Sequence, residues 1–128
     1  MRDFVSIEEI RAQALECNHD GTGPIEFRRL LAGSDFETPI DFIDYTVVPP
    51  GSSIGAHKHS GNEEIYFIVA GKPLISVNGQ ERRLERGSIA IVHSGQTHQL
   101  VNDTSESVAI FVIQVRRSQA GAYAPFAA

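Results

Sequence analysis

The sequence has one cysteine, no long apolar run and no cluster of basic residues. The single Cys17 excludes an intrachain disulfide, and no base or orienting partner for a catalytic thiol is evident near it. No stretch reaches membrane-spanning length, and the N-terminus does not resemble a signal peptide. We therefore expect a cytoplasmic protein with no membrane partner.

The charge balance is acidic, with eleven Lys and Arg against sixteen Asp and Glu, a formal net charge of −5. The basic residues occur in pairs such as Arg28-Arg29, Arg82-Arg83 and Arg116-Arg117, which are typical of solvated strand ends. An acidic chain without a basic patch is a poor candidate for binding nucleic acid.

The length of 128 residues suits a single domain large enough to fold without disulfides. We expect an N-terminal helix and linker over residues 1–23, a β-barrel over 24–117 and a C-terminal tail over 118–128. The tail is Ala-rich and either docks through Tyr123 and Phe126 or is disordered.

Residues 6–16 have the pattern of a short helix. Ser6 and Glu9 form a capping-box pattern, and apolar residues follow at helical spacing: Ile7, Ile10, Ala14 and Leu15. The polar, Gly-containing segment 18–24 then predicts the end of this helix and a linker.

From Ile25 onward the sequence changes to short apolar runs separated by Gly, Pro and Asn. These runs are rich in Val, Ile, Phe and Tyr, as strands are, and they predict strands over 25–31, 40–48, 53–57, 64–70, 73–78, 81–84, 88–92, 98–102 and 107–116. Asn78-Gly79 between two runs indicates a hairpin. Many short strands behind one helix predict an all-β sandwich or barrel.

Three histidines and one glutamate fall where strands can bring them together. His57 and His59 are two positions apart, so an extended backbone directs both side chains to one face. Glu64 begins an apolar strand and Glu63 faces the opposite way, so we take Glu64 as the acidic partner. His98 begins a later strand, where its side chain can enter the barrel beside the others.

At this point the sequence resembles the cupin superfamily. The first cupin motif is filled at every specified position, by Gly51, His57-Lys58-His59, Glu64 and Gly71. The second motif corresponds to Gly87, His93-Ser94-Gly95, His98 and Asn102, and it departs from the pattern at His93, where the family usually has proline. The fifteen residues between the motifs suit compact microbial members.

The resemblance implies a double-stranded β-helix, or jelly-roll barrel, that binds one divalent metal through His57, His59, Glu64 and His98. Mixed nitrogen and oxygen ligation suits Fe, Mn, Ni, Co or Zn and leaves the choice among them open. Calcium is disfavoured because it prefers an all-oxygen shell.

Two residues are candidates for a catalytic role, His93 and Tyr66. His93 is either an exposed turn residue or an acid/base group at the barrel mouth, because an unshifted imidazole titrates near neutrality. Tyr66 is in phase with Glu64 and is expected to line the pocket. We expect Asn102 to fix the turn after its strand rather than to contact a ligand.

Other pocket residues are predicted from strand phase. Ile68 and Leu100 are in phase with Glu64 and His98, whereas the inward face of strand 40–48 stays open among Asp41, Asp44 and Tyr45. Gln114 either reaches the pocket or lies at an exposed edge. Arg28 and Arg29 face opposite ways, so one of them could supply a cation to the pocket.

Two functions fit this site. The first is a metal-dependent enzyme of the oxygenase, isomerase or lyase type that acts on a small polar organic molecule. The second is a binding or sensing module that holds a small molecule without turnover. A homodimer is also expected, through the N-terminal helix or segment 25–31, because exposed edge strands are commonly paired.

Overall fold

The computed structural model describes residues 2–58 and 60–116, and for His57 it describes the backbone alone. Within these residues ten strands alternate with turns. The strands are β1 (Gln13–Glu16), β2 (Pro24–Ala32), β3 (Ile40–Val48), β4 (Ser53–Lys58), β5 (Asn62–Ala70), β6 (Leu74–Val77), β7 (Gln80–Arg83), β8 (Ile89–Val92), β9 (Thr97–Val101) and β10 (Val108–Arg116). The predicted tail over 118–128 lies outside the described residues.

The strands form two antiparallel sheets that face each other across one core. The larger sheet has the order β1-β2-β3-β10-β5-β8, and the smaller has the order β4-β9-β6-β7. Strands that are distant in the sequence are neighbours in both sheets, as in a jelly roll. The all-β expectation is confirmed, but within the described residues the two sheets are separate and do not close into one hydrogen-bonded barrel.

Each predicted strand corresponds to an observed one, with ends that differ by at most two residues, and β3 has the predicted bounds. The hairpin between β6 and β7 turns at Asn78 and Gly79, whose φ values are 51° and 84°. Positive φ at both central residues is the type I′ geometry that an Asn-Gly pair favours.

The predicted N-terminal helix over 6–16 is wrong. A single 3-10 turn forms at Ile7–Glu9, and Ser6 makes no side-chain cap bond. The chain then extends into β1, which pairs with β2 from Gln13↔Phe27 to Glu16↔Pro24. An isolated helix of this length is marginal, whereas the edge of β2 offers a ladder of backbone hydrogen bonds. No helix in residues 2–58 and 60–116 has the length and hydropathy needed to cross a membrane.

The core is filled from both sheets by side chains that alternate inward along each strand. Ile54, Ile75 and Leu100 come from the smaller sheet and are at most 5% exposed. The larger sheet contributes the rest of the central cluster: Ile25, Val48, Tyr66, Ile68, Val108, Ile110 and Val112. This shared core holds the inner faces of the sheets at a fixed separation. That separation positions the polar side chains that both sheets direct into the space between them.

A short loop over residues 17–23 packs against β4, the edge strand of the smaller sheet. The backbones of Thr22 and Ser53 hydrogen-bond at 2.8 Å, and Thr22 N–H also donates to the Ser53 hydroxyl at 2.8 Å. A β-carbon placed on Gly55 would lie 1.9 Å from the carbonyl oxygen of His19. The close contact between the loop and β4 therefore requires glycine at position 55. The loop covers the edge of β4, which would otherwise be open to pairing with another strand.

Candidate functional site

Strand β5 directs Glu64 and Tyr66 into the space between the sheets. Their side chains share one face because they are two residues apart. Glu64 is 6% exposed and Tyr66 is 1% exposed. Glu63 is half-buried and faces the other way, so the expectation that Glu64 is the inward-facing acid agrees with the structure.

His98 reaches the same space from β9 of the opposite sheet. It is 1% exposed, and its Nδ1 lies 2.9 Å from the hydroxyl oxygen of Tyr66. Its Nε2 lies 3.7 Å from Oε1 of Glu64. Two residues predicted as ligands from separate motifs thus meet inside the fold, with Tyr66 beside both.

Tyr66 is held in its neutral form. Burial, the negative charge of Glu64 and a hydrogen bond to Glu64 together raise the pKa of Tyr66 well above its ordinary value. The phenol therefore keeps its proton across the physiological range, and it is available as both a donor and an acceptor between Glu64 and His98.

Strand β4 brings the backbone of His57 opposite His98 in the β4–β9 ladder. Between Ile54 and His57 the register shifts by one extra residue on β4, a bulge of the kind that occurs beside functional sites. His59 lies outside the described residues. Among the side chains that the structure describes, no three His, Cys, Asp or Glu groups converge as a metal set, so ligation by His57 and His59 stays a prediction.

A cavity of about 170 Å³ lies beside Glu64 and Tyr66. Its polar lining comes from β2, β3, β5 and the loop over 17–23, and its apolar lining comes partly from the core and partly from β1, β2 and β3. The lining residues are Leu15, Asn18, His19, Ile25, Phe27, Arg29, Phe42, Asp44, Thr46, Ile54, Glu64, Tyr66 and Val112. The cavity is therefore a mixed polar and apolar space suited to a small polar molecule.

Arg29 and Asp44 form an ion pair in this cavity. Arg29 Nε donates to Asp44 Oδ1 at 2.9 Å and Nη2 donates to Oδ2 at 3.0 Å. The guanidinium also lies over the ring of Phe42, 4.2 Å from its centroid. The hydrogen bond to Asp44 raises the pKa of Arg29, so the guanidinium is permanently charged. Of the three candidates on β3, Asp44 lines the cavity, whereas Tyr45 packs edge-on against Phe111.

Residues 44–114 match the family described as the cupin domain. The chain belongs to the cupin family. This cupin is 31% identical over 98 residues to the oxalate-binding protein of Thermotoga maritima, an alignment that covers 77% of this chain and 81% of that protein. It is 32% identical over 75 residues to the tetracenomycin polyketide synthase protein TcmJ of Streptomyces glaucescens, covering 59% of this chain and 50% of that protein.

Solved structures share the fold of this cupin. A crystal structure from Thermotoga maritima described as a predicted oxalate decarboxylase has a TM-score of 0.86 at 26% identity, over 88% of this chain and 98% of that one. KdgF from Halomonas sp. has a TM-score of 0.72 at 20% identity, over 92% of this chain and 97% of that one. The resemblance stated from the two motifs is confirmed.

His93 of this cupin lies beside Glu63, away from Glu64. Its Nδ1 contacts Oε2 of Glu63, and the His93 side chain is 56% exposed. Both residues line a separate, wider depression of about 750 Å³, together with residues such as Pro39 and Ser94. The catalytic role of His93 stays a prediction, and this placement favours the alternative of an exposed turn residue.

Two other polar residues have structural contacts. Asn102 is fully buried, and its Nδ2 donates to the carbonyl oxygens of Val48 and Glu106 at 2.8 and 2.7 Å. Its predicted role in fixing the turn is confirmed. Gln114 donates to Asp41 at 2.9 Å and is not among the residues that line the cavity beside Glu64.

Sequence reasoning missed most of the cavity lining, including the polar residue His19. His19 was assigned to a linker, but its loop folds back over β4 and places it in the cavity lining. The loop does so through a left-handed turn in which Cys17, His19 and Asp20 have φ values of 50°, 51° and 62°. Such a turn is uncommon for residues other than glycine, and no local pattern in the sequence announces it.

Proposed function

We propose that this cupin binds one divalent transition-metal ion through His57, His59, Glu64 and His98 and acts on a small polar organic molecule in the adjoining cavity. One observation carries the proposal. Glu64 from the larger sheet and His98 from the smaller sheet, each a predicted ligand, lie 3.7 Å apart in a buried space.

The separation of these two groups suits a shared ion. Donor atoms about 2.1 Å from one ion can lie up to about 4.2 Å apart. The 3.7 Å between Glu64 Oε1 and His98 Nε2 falls within this limit, and it exceeds an ordinary hydrogen bond. The donor types also fit, because a buried carboxylate beside an imidazole is a common ligand pair for first-row metals.

Tyr66 supports the ligating form of His98. The single hydroxyl proton of Tyr66 is donated to Glu64, since an ionised carboxylate only accepts. The Tyr66 oxygen therefore accepts from Nδ1–H of His98, which leaves the lone pair on Nε2, the atom that faces Glu64. A hydrogen bond on the far ring nitrogen is the usual way to fix the tautomer of a metal-ligating histidine.

The chain's own residues would bind and orient the ligand. A divalent ion held here would act as a Lewis acid or, with a redox-active metal, as an electron donor or acceptor. Arg29 and Asp44 line the same cavity and offer charge-assisted hydrogen bonds to the ligand. Glu64 and Tyr66 are almost fully buried, which strengthens their polar contacts.

A second candidate function is binding without turnover. It is favoured by the similarity to a protein named for binding oxalate, a small organic acid. The two candidates share the same site and differ in whether the bound molecule is converted.

Metal binding is tested by measuring metal content and thermal stability with Mn(II), Fe(II), Co(II), Ni(II) and Zn(II) added in turn. We expect about one ion per chain and stabilisation of about 2.7 kcal/mol at a hundred-fold excess over Kd. Glu64→Gln preserves shape while removing the charge, and it should abolish most of this stabilisation.

The matched control is Glu63→Gln, which makes the same chemical change one residue away on the opposite face. It should bind metal as the wild type does, and so should His93→Ala. Full metal affinity in Glu64→Gln, or equal losses in Glu63→Gln, would overturn the proposed ligand set.

The choice between enzyme and binder is tested on the metal-loaded protein. Oxalate, pyruvate and glycolate are incubated with it, and substrate loss and oxygen uptake are followed together with binding by calorimetry. Conversion of any of these acids supports the enzyme, whereas saturable binding without conversion supports the binder.

The homodimer stays a prediction, but its expected contact changes. The N-terminal segment is strand β1 rather than a helix, and it covers the edge that segment 25–31 would have offered. Sedimentation equilibrium of the purified chain would test the oligomeric state.

A further inference from the structure

We propose that Arg29 recognises a carboxylate of the ligand, and that Asp44 holds Arg29 in position while its negative charge repels that carboxylate. This inference rests on the proposed function, because it names the class of molecule that occupies the same cavity. The class is a small organic acid that binds Arg29 in the cavity that Glu64 also lines.

Strand phase places Arg29 in the cavity. Along β2, Ile25, Phe27 and Arg29 alternate onto the inner face, and all three line the same space as Glu64 and Tyr66. The Arg29 side chain is 46% exposed. The guanidinium thus lies at the solvent side of the cavity, where an incoming anion would meet it first.

The guanidinium retains an unoccupied edge. Arginine has five N–H donors, arranged as a side edge through Nε and Nη2 and an end edge through Nη1 and Nη2. Asp44 occupies the side edge with two hydrogen bonds. Within the described residues Arg29 has no other hydrogen-bond acceptor, so its end edge is free for a second carboxylate in the planar, two-point arrangement that arginine favours.

Two contacts keep this edge oriented without any ligand. The bidentate bond fixes the guanidinium plane relative to β3, since Asp44 is itself only 6% exposed. Phe42 supports the plane from below at 4.2 Å. A guanidinium that these two contacts already hold loses little conformational freedom when a ligand binds, and this preorganisation strengthens binding.

The cavity is small. Its volume of about 170 Å³ lies below the roughly 300–1,000 Å³ of pockets for drug-sized ligands. A two- or three-carbon acid suits such a space. Oxalate, glycolate and pyruvate are all of this size.

Charge balance links acid binding to the metal. Arg29 and Asp44 cancel, and Glu64 leaves the cavity with one net negative charge, which opposes an anion. A divalent ion held by neutral imidazoles and Glu64 would reverse the sign to one net positive charge. We therefore expect carboxylates to bind the metal-loaded protein more tightly than the metal-free protein.

The test is calorimetric titration of the metal-loaded protein with oxalate, glycolate and pyruvate, and with oxamide as an uncharged analogue of oxalate. We expect at least one acid to bind and oxamide to bind at least ten-fold more weakly. Arg29→Gln should weaken acid binding by about 10- to 100-fold, the range of a charge-assisted hydrogen bond. The acid affinity of Arg29→Lys should lie between those of the wild type and Arg29→Gln, because lysine keeps the positive charge but cannot make the planar two-point contact.

Arg28→Gln is the matched control, because it removes the same charge from the next residue on the other face of β2. It should leave acid binding unchanged. Asp44→Asn gives a readout that a purely structural ion pair would not. It should strengthen acid binding, since it removes a neighbouring negative charge while an amide oxygen still accepts from Arg29.

Metal content, measured on every variant, separates this inference from the proposed metal site. Normal metal content with lost acid binding in Arg29→Gln supports the role of Arg29. Four results would overturn the role of Arg29. They are wild-type acid affinity in Arg29→Gln, an equal loss of acid affinity in Arg28→Gln, binding of oxamide as tight as that of oxalate, and no binding of any of the three acids. A wild type that binds no metal would instead overturn the metal site, and acid titration of the same protein would still report on Arg29.

Discussion

The hydroxyl oxygen of Tyr66 lies 2.9 Å from Nδ1 of His98, although the two residues belong to different sheets. Their rings are also in contact, with centroids 5.3 Å apart. Because both side chains are almost fully buried, this hydrogen bond ties the inner faces of the sheets together at the candidate metal centre. It thereby links the stability of the sandwich to the orientation of a predicted ligand.

Replacing Tyr66 with phenylalanine tests this relationship. The ring would remain in the core, but the group that selects the His98 tautomer would be lost. We expect metal affinity to fall by about 10- to 100-fold, as for other groups that orient a ligating histidine. Competition with a chromophoric chelator would measure the change.

Tyr45→Phe is the control for this substitution, because it removes a hydroxyl from the outer side of β3 beside Phe111. Metal affinity should be unchanged in that variant. If Tyr66→Phe also bound metal as the wild type does, Tyr66 would have no role in orienting His98.

Replacing Gly55 with alanine tests the contact between β4 and the loop over 17–23. The new methyl group would overlap the carbonyl oxygen of His19, a backbone atom that cannot move without its loop. We expect a loss of at least about 3 kcal/mol in the free energy of unfolding, together with faster proteolysis within residues 17–23. Urea denaturation and limited digestion with a protease of broad specificity, such as proteinase K, would measure the two effects.

Gly33→Ala provides the comparison, because a β-carbon there would have no neighbour closer than 3.5 Å. It should change stability by less than about 1 kcal/mol. Equal effects of the two substitutions would show that the close approach of Gly55 to the loop does not matter for stability.

The strands from β2 to β10 were predictable because their periodicity and turn signals are local. The alternation of side chains along a strand showed that Glu64 and Glu63 point to opposite faces of β5. The Asn78-Gly79 pair predicted the hairpin turn, in which both residues have positive φ values. The motif glycine Gly71 also has a physical requirement, since its φ is +83° and a β-carbon would lie 2.7 Å from the carbonyl oxygen of Ser107.

The N-terminal segment and the cavity lining were harder to predict because they depend on tertiary contacts. Ile7 and Leu15 have helical spacing, yet the edge of β2 captures the segment as a strand. The partnership of Arg29 with Asp44 depends on the register of β2 and β3, which pairs the two residues directly. Local sequence signals do not fix that register.

Truncation of Asn102 tests its role in the fold. Its Nδ2 donates to two backbone carbonyls, and its Oδ1 accepts from the backbone and hydroxyl of Thr104. Asn102→Ala would leave buried polar groups without partners, and each such group costs about 1–3 kcal/mol. We expect a loss of about 3 kcal/mol in the free energy of unfolding, measured by urea denaturation.

Gln80→Ala controls for loss of an amide, because Gln80 is exposed on β7. Its effect should be within about 0.5 kcal/mol. A comparably small effect of Asn102→Ala would mean that water replaces the buried contacts.

The ion pair between Arg83 and Asp103 predicts a pH dependence of stability. It joins the end of β7 to the loop after β9, and Nη2 donates to Oδ2 at 2.9 Å. The hydrogen bond from Arg83 lowers the pKa of Asp103 below its ordinary value of 3.8. A depressed folded-state pKa stabilises the protein above the unfolded value, and this contribution is lost as the pH falls through the folded-state value.

Asp103→Asn should therefore be less stable than the wild type at neutral pH, and the difference should shrink as the pH is lowered below about 4. Both side chains are nearly half exposed, so the difference should be small and should diminish in 1 M NaCl. Thermal melts of Asp103→Asn, Arg83→Gln and the double variant from pH 7 to pH 2.5 would measure it. Since either substitution breaks the pair, the double variant should lose little more than each single one. A difference that grows as the pH falls would contradict the assignment, because it would require Asp103 to stabilise the fold in its protonated form.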